Sequence, residues 1–306
     1  MAHRQVFREV TLNAGGGNAM KIDEHTVAKL LHQQFPHLSH LPIEPVRKQG
    51  WDNVTFRLGD ALSVRLPSNA SYAAAVWKEA EALAVLGDHL SAEVPRVLAV
   101  GTPCEAFPLP WSIRHWIAGD TLETVEDINQ EAFAITLGHT LCELRAIEAG
   151  NGPRAGRHSF YRGCHPRVYG DEVQKSLDIL DDKVDKARCL DIWQQGMTSA
   201  WTDRPVWFHG DVAVGNIIVA DTSVKALIDF GCCGIGDPAC DFVMAWTYFE
   251  DEGRKAFRDA CATDNQTWQR ARAWALWKAL VCLSGLSSPD TDGTQARALQ
   301  AICNEE

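Results

Sequence analysis

Short apolar runs at alternating spacing fill the first third of the chain, and longer stripes at helical spacing fill most of the remainder. Met1 to Ala19 has little periodicity and contains Gly15-Gly16-Gly17, so it reads as a flexible extension; no strand precedes the glycines to make them a phosphate loop. Asp23 is then an N-cap type before Val27, Leu30, Leu31 and Phe35, and Pro36 ends that helix. Val54–Leu58 and Ala61–Leu66, joined at Gly59-Asp60, predict a β-hairpin. Val76, Ala80, Leu83 and Leu90 form a helical stripe within Tyr72–Leu90. Arg96–Val100 and Trp111–Ile117 predict two more strands, closed by Gly101 and Gly119.

Beyond Gly119 the pattern turns helical. Phe133, Leu137, Leu141, Leu144 and Ile147 share one face. A second helix is predicted over Asp171–Trp193, with Val173, Leu177, Leu180 and Val184 on one side and Asp171, Glu172, Asp178, Asp181, Asp182 and Asp185 on the other. That acidic side is read as a solvated face, with an acidic wall for a polycationic substrate as the sharper alternative. A last helix carries Trp268, Trp274, Trp277, Leu280 and Val281, mostly core between helices. The length suffices for a sizeable core and two lobes or domains, after the extension 1–19.

One stretch inside the second lobe departs from this pattern. From Val206 to Asp241, the apolar runs Val206-Trp207-Phe208, Ile217-Ile218-Val219 and Ala226-Leu227-Ile228 present polar ends: His209, Gly210, Asp211, Asn216, then Asp229-Phe230-Gly231. Two carboxylates and a carboxamide brought together at strand ends suit phosphoryl transfer, which needs an aligned nucleophile and neutralised phosphate oxygens. Asp211 is placed to accept a hydroxyl proton, while Asn216 and Asp229 offer the hard oxygen ligands that Mg²⁺ takes. Asp237 reads as the cap of a helix beginning near Pro238.

Composition narrows the class. Hydrophobic residues make up 46 % of 306, with no apolar run of membrane-spanning length and no apolar core of a signal peptide in Met1–Val10. The ten cysteines lack metal-ligand spacing and read as thiols of a reducing cytoplasm. With 29 basic and 40 acidic residues the net charge is −11, which argues against nucleic acid or an anionic membrane as partner and is compatible with a cationic ligand. Oligomeric state is left open.

His-x-Asp, four residues, Asn, and then Asp-Phe-Gly resembles the catalytic and metal-binding loops of the protein-kinase superfamily, and Gly210 in place of arginine resembles its small-molecule branch. With Gly50-Trp51-Asp52-Asn53, Val64-Arg65-Leu66-Pro67 and Trp116-Ile117-Ala118-Gly119, the chain from Met20 to the last helix is similar to the aminoglycoside phosphotransferase family in its broad sense. The resemblance implies an α+β, two-lobed protein-kinase-like fold: an antiparallel five-stranded sheet with a helix as the nucleotide-binding lobe, residues 20–117, and a mostly helical catalytic and substrate-binding lobe, residues 118–306. It implies transfer of the γ-phosphoryl of ATP or GTP, with Mg²⁺, to a hydroxyl of a small molecule.

Residue by residue, the resemblance makes Asp211 the catalytic base and Asn216 and Asp229 the metal ligands. Arg65 stands where kinases keep a phosphate-holding lysine, and Glu79, with Glu81 as competitor, is its acidic partner. Gly50 and Asn53 belong to the turn that would cover the phosphates, although the glycine-rich fingerprint is absent. His115 and Trp116 lie at the hinge and are candidates for lining the nucleotide pocket. Asp241 would brace the catalytic loop, and His209 would pack and orient it. The favoured acceptor is an aminoglycoside-type antibiotic. The alternatives are a macrolide, an amino alcohol such as choline, or a silent kinase-like binding protein.

Overall fold

In the computed structural model, which describes residues 11–12, 20–50 and 52–305, alternation along the hairpin decides where the first core lies. β1 (Thr11–Leu12) pairs antiparallel with β2 (Met20–Lys21), Thr11 opposite Lys21. The rest of the predicted extension, with Gly15-Gly16-Gly17, lies outside the described residues, as does Trp51. α1 (Glu24–Gln34) starts at Asp23, whose side chain accepts from the Thr26 amide at 3.0 Å. β3 (Ile43–Pro45), β4 (Asn53–Leu58) and β5 (Leu62–Pro67) follow. Val54, Phe56 and Leu58 are buried and the residues between them are not.

α2 (Ala73–Leu86), β6 (Val97–Gly101) and β7 (Trp111–His115) complete an antiparallel five-stranded sheet of order β3-β4-β5-β7-β6. Gly59, at φ +58°, supplies the left-handed turn between β4 and β5. Val27, Leu30 and Leu31 of α1 join Val54, Phe56, Val64, Leu66, Trp111 and Ile113 in one core. The buried face of α2 is Val76, Glu79, Ala82, Leu83 and Leu86, so an apolar stripe contains one carboxylate. These elements form one compact unit, residues up to Gly87 with Pro95–Ala118; Asp88–Val94 and Gly119–Glu306 form a second.

The second unit opens with β8 (Asp120–Thr121) and α3 (Gln130–Ala146), whose buried face includes Phe133, Leu137, Leu141 and Leu144. The single helix expected over 171–193 is two helices. α4 (Gly170–Leu180) stops where Asp181 turns left-handed at φ +47°, and α5 (Lys186–Met197) restarts behind Asp185, which accepts from the Arg188 amide at 2.9 Å. The apolar spacing Val173, Leu177, Leu180 and Val184 runs on through this break.

Next come β9 (Val206–Phe208), β10 (Ile217–Ala220), β11 (Ser223–Leu227) and β12 (Gly234–Gly236). β10 pairs with β11 and β8, while β12 pairs with β9, Ile235 opposite Trp207. After β12 are α6 (Met244–Thr247), α7 (Asp251–Ala260), α8 (Asn265–Leu283) and α9 (Thr294–Asn304). α8 is buried almost all round; its Trp268, Trp274 and Trp277 are core, as expected, and so is Trp246 of α6. No helix among the described residues is long and apolar enough to cross a membrane.

Candidate active site

In the first unit, Arg65 on β5, Glu79 on α2 and Arg114 on β7 meet as a buried charged array. Arg114 grips Glu79 with both ends of its fork, Nη1 to Oε1 and Nη2 to Oε2, each at 2.8 Å, and donates from Nε to Ser112 Oγ at 2.9 Å. Arg65 Nη1 reaches Glu79 Oε1 at 3.1 Å. Asn53, with its amide oxygen turned to Arg65, accepts from Nη2 at 3.0 Å and Nε at 3.3 Å. Burial pushes the Glu79 carboxyl up, but the Arg114 and Arg65 guanidiniums together outweigh it and hold the group well below the usual carboxylate range.

Sequence reasoning missed Arg114. The signal was there, since Ser112 and Arg114 share one face of a strand whose other residues Trp111 and Ile113 are core. The remaining candidates of this unit lie elsewhere. Gly50 has no positive φ, and among the described residues a Cβ there would meet Asn53 O at 3.6 Å, an ordinary contact. His115 ends β7 exposed, and the Trp116 ring lies 4.3 Å from the Arg57 guanidinium. Neither donates to the charged array among the described residues.

In the second unit, the β9 strand ends at Phe208 and the next three residues form a braced loop. The amides of His209 and Gly210 donate to Asp241 Oδ2 and Oδ1 at 2.8 and 2.7 Å. Asp241 is 2 % exposed, and burial pushes its carboxyl up against the pull of those amides. His209 is fully buried, its Nδ1 accepting from the Asp211 amide at 3.2 Å and its Nε2 donating to Ile228 O at 3.0 Å. Both ring nitrogens are thus engaged with backbone groups of the two loops. Gly210 has φ +85°, and a Cβ there would stand 2.7 Å from Cys232 O. Only glycine fits both the backbone and the space.

Asp211 is exposed beyond this brace. Asn216 donates from Nδ2 to Asp211 O at 2.9 Å and to Asp211 Oδ2 at 3.0 Å, which fixes the carboxylate and leaves the Asn216 carbonyl oxygen as a hard donor. The Ile228 amide donates to Asn216 O at 2.9 Å, tying the strand that delivers Asp229 to the same turn. Asp229 is left-handed, φ +65° and ψ +66°, an uncommon state for a residue other than glycine and one that concentrates at functional sites. An amide oxygen and a carboxylate fit Mg²⁺, which takes one or two protein ligands and completes its shell with phosphate and water. Among the described residues no group of three or more His, Cys, Asp or Glu is placed to hold an ion by itself.

Asp237 caps the turn Pro238–Phe242 by accepting from the Ala239 amide at 3.1 Å, and Arg270 of α8 donates to its Oδ2 at 2.7 Å. The turn bearing Asp241 is thereby anchored to the core helix.

Residues 43–274 match the phosphotransferase enzyme family. The chain belongs to that family. The phosphotransferase is therefore a small-molecule kinase with the protein-kinase-like α+β fold. A sequence comparison with curated proteins finds no match. Among solved structures it is similar to the GDP complex of wild-type aminoglycoside 2'-phosphotransferase-IIIa, at 16 % identity and TM-score 0.67, covering 92 % of this chain and 99 % of that one. It is also similar to a macrolide 2'-phosphotransferase type I, at 19 % identity and TM-score 0.62, covering 93 % and 99 %. A macrolide 2'-phosphotransferase from Brachybacterium faecium gives 16 % identity and TM-score 0.61, covering 92 % and 98 %. At these identities the likeness is one of fold.

Proposed function

We propose that the phosphotransferase moves the γ-phosphoryl of ATP or GTP to a hydroxyl of a small molecule, with Asp211 as general base. The observation that carries this reading is the braced loop, which holds Asp211 exposed while Asp241, His209 and Asn216 fix its backbone and carboxylate. Asp211 orients the acceptor hydroxyl and receives its proton as the new oxygen–phosphorus bond forms and the bond to the β-phosphate oxygen breaks. Asn216 and Asp229 would hold Mg²⁺, which when bound neutralises phosphate charge. Arg65 and Glu79 would serve the nucleotide phosphates. Similar structures were solved as GDP, ADP and ATP complexes, which supports nucleotide use without choosing between the bases. Ten free thiols and a nucleotide substrate favour the cytoplasm as the place of action.

For the acceptor, an aminoglycoside-type antibiotic is supported by the net charge of −11 and by relatives solved with kanamycin and gentamicin. One observation favours a second reading, a bulky and less charged acceptor of the macrolide kind. Phe160 and Tyr161 are 45 % and 40 % exposed and consecutively left-handed, φ +48° and +55°, in a turn pinned by Tyr169 Oη donating to Phe160 O at 2.8 Å. Next to them, Arg162 Cβ lies 3.2 Å from where a Gly210 Cβ would stand. Exposed aromatics and an arginine beside the catalytic loop suit an apolar ring system better than a polycation.

The test is nucleoside diphosphate release with Mg²⁺ across aminoglycosides, macrolides and amino alcohols, beside Asp211→Asn. Acceptor-stimulated release that disappears in the variant is expected. Release that survives Asp211→Asn would remove the base assignment.

A further inference from the structure

We propose that Cys303 and Cys189 form a site of reversible oxidation, in which a hydroperoxide converts the Cys303 thiol to a sulfenic acid and Cys189 closes it to a disulfide joining α9 to α5. Neither residue belongs to the catalytic loop or to the charged array. The two helices meet at this point. Arg188, the neighbour of Cys189 on α5, donates from Nε to the carbonyl of Cys303 itself at 3.0 Å and from Nη2 to Glu305 O at 2.7 Å. The thiols of Cys189 and Cys303 are hydrogen-bonded to each other. Cys189 is fully buried, whereas Cys303 is half-buried and open to a small oxidant.

The surroundings of the outer sulfur favour its anion. Arg272 of α8, 1 % exposed, donates from Nε to Ile302 O at 3.1 Å and from Nη2 to Glu305 O, so two guanidiniums end on the last turn of α9. A helix C-terminus by itself opposes a negative charge; here its carbonyls are already bonded by cations. The bond from Cys189 lowers the Cys303 thiol to about 7, and Arg188 and Arg272 add to it against burial and Asp185. The same pairing, with burial, pushes Cys189 up, so Cys303 is the thiolate of the pair and Cys189 the thiol. Burial also pushes up Cys164, Cys240, Cys261 and Cys282, which sets them apart from Cys303. A part-exposed cysteine of lowered pKa beside a second thiol is the arrangement that peroxide oxidises selectively.

The Cys303 thiolate attacks one oxygen of the hydroperoxide. A sulfur–oxygen bond forms, the oxygen–oxygen bond breaks, and the leaving oxygen takes a proton, as water when the oxidant is hydrogen peroxide. The Cys189 sulfur then attacks the Cys303 sulfur; the sulfur–sulfur bond forms and hydroxide leaves with the Cys189 proton as a second water. Two thiols are oxidised by two electrons and one peroxide is reduced by two. Cytoplasmic disulfides are commonly transient and redox-sensing, and thiol exchange returns this one to the free pair.

The full chain, reduced and freed of reductant, is treated with hydrogen peroxide, blocked with N-ethylmaleimide and digested. Mass spectrometry is expected to find peptides carrying Cys189 and Cys303 joined by a bond that dithiothreitol removes. In Cys189→Ser the reaction is expected to stop at Cys303 as a sulfenic acid that dimedone captures. Before oxidation, iodoacetamide at pH 7 is expected to label Cys303 at least about tenfold faster than the half-buried Cys164, because the thiolate fraction governs the rate. Labelling of Cys303 no faster than of Cys164 would overturn the proposal, as would peroxide-treated protein with no bond between Cys189 and Cys303. Both of these readouts use the wild-type chain, so they decide the matter even if Cys189→Ser does not fold.

Discussion

Asp241→Asn isolates the brace of the catalytic loop from its chemistry. In the native protein two backbone amides, at 2.8 and 2.7 Å, end on a carboxylate that is 2 % exposed. Hydrogen bonds to a buried charged group contribute about 1.5–3 kcal/mol each. The amide of asparagine keeps one acceptor and turns an NH₂ toward the second backbone N–H. One bond survives in its weaker neutral form, and one buried donor is left facing another, a penalty of about 1–3 kcal/mol. Against this stands a gain: burial disfavours the native carboxylate, as the upward push on its pKa shows, and a neutral amide escapes that cost. The net expectation is a loss of about 2–4 kcal/mol, inside the range for disrupting a buried polar network. Urea unfolding gives the total. Amide hydrogen exchange at His209 and Gly210 gives its location, with both amides expected to lose protection relative to the core strands. A loss below about 1 kcal/mol with both amides still protected would refute the reasoning.

Asp211→Asn is expected to lower turnover by about 10²–10⁴, the usual range for a positioned base, and to leave stability within about 0.5 kcal/mol, as exposed substitutions do; steady-state kinetics and urea melts separate the two. Glu79 is ionised and held below its ordinary value of 4.5, so its contribution to stability is complete above that pH and is lost as pH falls through the depressed folded value. Unfolding free energy measured downward from pH 5 should decline, and Glu79→Gln should flatten that decline. Gly101→Ala would place a Cβ 2.0 Å from the Trp111 ring on the paired strand, and overpacking of this kind costs about 1–3 kcal/mol; a thermal melt unchanged within 1 °C would contradict it. Phe160→Ala with Tyr161→Ala should raise KM for macrolides and leave KM for aminoglycosides unchanged if the aromatic turn holds an apolar acceptor, and equal effects on both would not fit that reading.

Much of the second unit's site was legible because local chemistry announces it. Val206–Phe208 and Ile217–Val219 are apolar runs that stop at His209, Asp211 and Asn216, and the structure keeps all three on one turn. The hairpin was legible for the same reason, with Gly59-Asp60 between two alternating runs. What escaped depends on contacts distant in sequence. Arg114 lies 35 residues from Glu79, and a charged residue inside a short strand looks like an edge position until its partner is known. The break at Asp181–Asp185 escaped because Val184 continues the apolar spacing although Asp185 is already a cap. Two of the acids of that stretch have local uses: Asp181 pairs with Lys186 at 2.7 Å, and Asp185 caps α5.

Gly210 bears on descent as well as on shape. A glycine codon is one nucleotide from an arginine codon, so the exchange that separates this loop from its protein-kinase counterpart is within reach of a single mutation. The molecule closes that route, because φ +85° and a carbonyl 2.7 Å from the Cβ position reject any side chain before its length or charge is considered. The Cys232 carbonyl must move first. Substitution at position 210 therefore depends on a second change, in the turn after Asp229 that carries Cys232.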